Sequence, residues 1–95
     1  MKPTLRELTD EVYEYGQHLK RSFSPEDLRE HGEDSDSPGY GDIRLQVHDG
    51  WTVHTGDSSY DQDHRGSWAA GSVPRGCSKK EAREIARSLL DEIGG

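Results

Sequence analysis

Two segments whose apolar residues recur every three or four positions bracket a middle in which they recur every two. That change of period constrains the fold more than any other feature of the chain. Near the start, Thr4 and Glu7 have capping-box spacing, in which a hydroxyl accepts from the backbone N–H three residues on and the glutamate reaches back. Leu5, Leu8, Val12, Tyr15 and Leu19 then lay one apolar stripe along a helix predicted to run to about Arg21. Ser78 and Glu81 repeat the box near the end, and Ala82, Ile85, Ala86, Leu89, Leu90 and Ile93 form a wider stripe before Gly94.

Between them, Ile43, Leu45 and Val47 alternate with Arg44, Gln46 and His48, and Trp51, Val53 and Thr55 alternate with Thr52 and His54. A two-residue Asp49-Gly50 turn would pair Val47 with Thr52 and split the apolar set between two faces. A three-residue loop, His48-Asp49-Gly50, pairs Val47 with Trp51 and Leu45 with Val53 on one face, with Gly50 left-handed. The three-residue loop is therefore expected, and it puts Arg44, Gln46, Thr52 and His54 on the outer face. A third strand is predicted from Ser67 to Val73, where Ala69, Ala70 and Gly71 suit close packing under a helix and Trp68 caps the core edge or stands exposed. Ser24-Pro25 with Asp27 signals a short helix, Pro25 to His31, followed by a flexible acidic loop at about 32–42. The expected fold is α+β, in the order α-α-β-β-β-α. It has a three-stranded antiparallel sheet and the N- and C-terminal helices on one face.

Ninety-five residues are expected to form one domain with a small core, since only 28% are hydrophobic and 33% are charged. The formal charge is −7 and is unevenly spread, with eleven acids against Arg29 and Arg44 between Glu26 and Asp63. Such a surface repels nucleic acid and favours basic partners, including nucleic-acid-binding complexes. One cysteine, Cys77, excludes an intramolecular disulfide. No apolar run suits a signal peptide or a membrane span, so a cytoplasmic protein without membrane association is expected.

The stretch from Trp51 to Gly71 is the richest in groups capable of recognition or chemistry. As a metal site it fails on spacing: an EF-hand counted from Asp57 would meet Ser59, Gln62 and Trp68 where it needs Asp, Gly and Glu. His54 and His64 lie ten positions apart, unlike zinc ligands, so no metal and no cofactor is expected. A metal-dependent hydrolase around His54, Asp61, Asp63 and His64 is the third-ranked reading, no catalytic residue is assigned, and the chain is read as a non-enzyme. Cys77, flanked by Arg75, Lys79 and Lys80, has the surroundings that would lower a thiol's pKa.

The positions His54, Gly56, Asp57, Tyr60, Asp61, Asp63, His64, Arg65, Gly66 and Trp68 resemble a segment of small proteins of phages and mobile elements. Those proteins are uncharacterised, so the resemblance carries no activity with it, but it favours an accessory protein that binds and blocks a host system. With the acidic charge, the expected function is an inhibitor of the anti-CRISPR or anti-restriction type, a nucleic-acid mimic acting on a basic host protein. From the charge and side-chain types, the expected binding residues are Asp57, Tyr60, Asp61, Asp63, His64, Arg65 and Trp68, with Tyr60, Arg65 and Trp68 as anchors. A second segment, Gly76, Ser78, Lys79, Lys80, Ala82 and Arg83, resembles the last helix of double-stranded-RNA-binding domains. It implies an alternative in which Lys79, Lys80 and Arg83 grip phosphates, and the net negative charge argues against it.

Overall fold

The computed structural model describes residues 2–24, 40–56 and 65–94. The short helix expected at Pro25 to His31 and the acidic loop up to position 39 lie outside them. Helix α1 spans Leu5–Ser22 and opens on the capping box in full: Glu7 N donates to Thr4 Oγ1 (3.1 Å) and Thr4 N to Glu7 Oε1 (2.9 Å). Hydrogen bonds from the Thr4 backbone and then its hydroxyl hold the Glu7 carboxyl below the usual range. Helix α2 spans Lys79–Gly94 and repeats the arrangement with Ser78 and Glu81 at 3.1 and 2.9 Å.

Three strands, β1 (Tyr40–Val47), β2 (Trp51–Thr55) and β3 (Ser67–Pro74), form one antiparallel sheet in the order β2-β1-β3. The hairpin has the three-residue loop, with Val47 opposite Trp51 and Leu45 opposite Val53. Its geometry differs in detail, because Asp49 (φ 53°) as well as Gly50 (φ 114°) has positive φ, which a short Asp side chain tolerates. β1 begins at Tyr40, so the last three residues assigned to the acidic loop are strand; Tyr40 to Asp42 pair with Pro74 to Ser72 of β3. β3 pairs with β1 rather than β2, so β1 is the middle strand.

The helices cover one face of this sheet. Leu8, Val12, Ile43, Leu45, Ala69, Val73, Cys77, Ala82, Ala86 and Leu89 form its buried core. Trp51 and Val53 are only half-buried, since α2 lies over β3 and the helices touch β1 and β3. Ala69 and Gly71 lie under α2, whereas Ala70 sits on the other face and is exposed.

What locks α1 to the sheet is the turn after β3. Gly76 N donates to Gly16 O (2.8 Å) and Gln17 Nε2 to Cys77 O (2.9 Å). Arg75 donates through Nε to Phe23 O (2.7 Å) and through Nη2 to Lys20 O (3.2 Å), satisfying carbonyls at the end of α1. Gly16 makes the approach possible, because a Cβ there would stand 2.6 Å from Cys77 Sγ and 3.3 Å from Pro74 O. Gly16→Ala is therefore expected to destabilise the protein by about 1–3 kcal/mol. Adding Cys77→Ala should recover part of that loss in a double-mutant cycle of denaturant unfolding. Strict additivity of the two changes would contradict the close approach.

Candidate functional site

The helix-free face of the sheet carries every second residue of each strand. β1 contributes Tyr40, Asp42, Arg44 and Gln46; β2 contributes Thr52 and His54; β3 contributes Trp68, Ala70 and Ser72. Arg44 lies opposite His54 on one side and Ala70 on the other, while Gln46 lies opposite Thr52 and Trp68. The faces are those expected from the alternation. Their burial is not: Arg44 is 5% exposed and Gln46 7%, although a polar outer face reads as solvated.

The Gln46 side chain explains part of the difference. Its Nε2 donates to Arg65 O at 2.7 Å, tying the chain that enters β3 back onto β1. Gly66 (φ 76°) permits that path, because a Cβ there would collide with the Val47 carbonyl. Gln46 Oε1 faces His54 Nε2 at 3.2 Å and Arg44 Nη2 at 3.4 Å, and it accepts from both when His54 carries its proton on Nε2. The Arg44 guanidinium carbon lies 5.4 Å from the centroid of the Trp68 ring, a cation–π contact. Trp68 is nevertheless 48% exposed, and Tyr40 at the other end of the face is 40% exposed.

Of the residues expected from the sequence to form a binding set, Trp68 stands on this face and Arg65 is tied to it through its backbone carbonyl. Asp57, Tyr60, Asp61, Asp63 and His64 lie outside the described residues. Arg44 and Gln46, the two that organise the cluster, were missed as site residues. Nothing in β1 alone marks them; the sign would have been the pairing of β1 with β3, which sets Trp68 beside both. Among the described residues, no three His, Cys, Asp or Glu side chains come together in a way that could hold a metal ion. No helix among them is long and apolar enough to cross a membrane.

The basic residues of α2 divide. Lys79 places its ammonium 5.4 Å from the Tyr13 ring centroid on α1. Lys80 and Arg83 share an exposed face with Glu84 and Arg87, around a shallow depression of about 250 Å³. Cys77 is buried, and burial, with the Glu81 charge second, pushes its thiol pKa up. The lowering expected from neighbouring cations is thus reversed: Arg75 is spent on the carbonyls of α1, and desolvation disfavours the thiolate.

No family model matches the chain, and neither a curated protein nor a solved structure does.

Gln46→Ala removes the acceptor shared by Arg44 and His54 in a place with little water to replace it. It should cost about 1–3 kcal/mol. Thr52→Ala, on the same face but exposed, should change stability by less than about 0.5 kcal/mol. Equal effects of the two in urea unfolding would refute the cluster.

Proposed function

We propose that this chain is a non-enzymatic binding protein that docks through the helix-free face of its sheet, together with the acidic stretch that leads into β3. The observation that carries the reading is Trp68. A large ring left 48% exposed, yet held from one side by the Arg44 guanidinium, is an anchor already oriented before a partner arrives. Pre-ordered aromatic side chains lose little entropy on association and dominate interface energies. Arg65 lies two residues before the same strand, its carbonyl held by Gln46 Nε2, and Tyr40 extends the aromatic character to the far end of the face.

Charge chooses the partner. Asp57, Asp61 and Asp63 immediately precede this strand in sequence, within a middle segment holding eleven acids. A basic protein fits that charge, and a nucleic-acid-binding complex has such a surface. The resemblance of residues 54–68 to phage and mobile-element proteins supports an inhibitor of anti-CRISPR or anti-restriction type, working in the cytoplasm by stoichiometric binding.

The test is capture of a basic partner from host lysate on the immobilised chain, compared across variants. Trp68→Ala should weaken binding about tenfold or more while leaving the melting temperature within a few degrees. Asp61→Lys with Asp63→Lys should abolish capture, and raised salt should weaken it in the parent. Undiminished capture by both variants would overturn the reading. So would direct binding of purified duplex RNA that is lost on Lys79→Glu with Lys80→Glu, which would transfer function to the basic face of α2.

A further inference from the structure

Arg44 holds a charge for which the described residues supply no counter-ion. It is 5% exposed, and among the described residues no carboxylate pairs with it. Its Nε–H is sealed from water and donates to no acceptor. Among the described residues, its guanidinium donates one hydrogen bond, to Gln46 Oε1 at 3.4 Å, long for an N–H···O bond, and its other contact is the Trp68 ring. A buried cation with neither a paired anion nor a full set of acceptors is costly, and an apolar side chain of similar length would fill the same space without that cost. The planar fork of a guanidinium, in contrast, matches the two oxygens of a carboxylate or phosphate.

We propose that Arg44 is the anchoring cation of a covered site for a small oxyanion of the phosphate or carboxylate class, with Trp68 as its cover. In the unliganded state the ring face partly offsets the charge. On binding, the ring would move off the guanidinium and Nε would be uncovered. The incoming oxyanion then takes the Nε–H and an adjacent N–H of the guanidinium, while Gln46 stays fixed through Arg65 O. The site shares Arg44 and Trp68 with the docking face proposed above, but its test uses the isolated protein alone and needs no partner.

The experiment titrates the chain with inorganic phosphate in one arm and acetate in another, each against sodium chloride of equal ionic strength. The ¹⁵N–¹H resonance of Arg44 Nε should shift progressively with one of the two oxyanions. Tryptophan emission should change in parent protein but not in Trp68→Phe, and the melting temperature should rise by several degrees once the anion is in large excess over its dissociation constant. Which arm responds assigns the ligand class. Arg44→Met should abolish the melting-temperature response and, in anion-free buffer, melt no lower than the parent. Arg44→Lys, which keeps the charge but not the fork, should also lose the response, and it decides the matter if the methionine variant does not fold. An Nε resonance unmoved by both oxyanions, or a stabilisation that chloride reproduces, would overturn the proposal.

Discussion

Burial of β1 on both faces is the constraint on which the rest of the fold depends. One face is apolar in the ordinary way, with Ile43 and Leu45 beneath the two helices. The other holds Arg44 and Gln46, long polar side chains whose burial is costly wherever a donor or acceptor goes unmet. Gln46 meets its own by bonding the backbone at Arg65 and receiving His54 and Arg44, while the Arg44 Nε–H keeps no acceptor. The same bonds hold the entry to β3 against β1 and set Trp68 over the guanidinium. The polar face is therefore both what organises the strand and what presents the aromatic anchor.

A second set of contacts keeps the helical layer in place. The turn from Pro74 to Cys77 meets α1 at Gly16, where the absence of a side chain lets backbone bond directly to backbone. Arg75 closes the end of α1, and Ser78 with Glu81 opens α2 one step later. Five consecutive residues thus end a strand, cap one helix and start another. This accounts for the fate of Cys77, which lies in the middle of the junction, buried and with a raised pKa rather than activated.

How much of this could be read from residues alone follows from what periodicity encodes. Capping boxes and stripes are local, so both helices and the three-residue hairpin loop were legible. A period of two tells which side chains share a face, but not which strand is a neighbour; placing β3 beside β1 needed the folded chain. The start of β1 was misjudged because Gly39, Tyr40 and Gly41 read as turn chemistry, whereas pairing with Ser72 to Pro74 overrides that local preference. Arg44 and Gln46 were assigned the correct face and the wrong environment, for burial of a polar side chain depends on partners that lie about 20 residues away. The candidate site was legible only at its ends, Arg65 and Trp68.

The account stands or falls on β1 being the middle strand with Arg44 between His54 and Ala70. Cross-strand nuclear Overhauser effects test this directly. The account predicts backbone contacts from Leu45 to both Val53 and Ala69, and from Arg44 to both His54 and Ala70. Contacts joining Val53 or His54 directly to the backbone of β3, with none from Leu45 or Arg44 to that strand, would put β2 in the middle and contradict it.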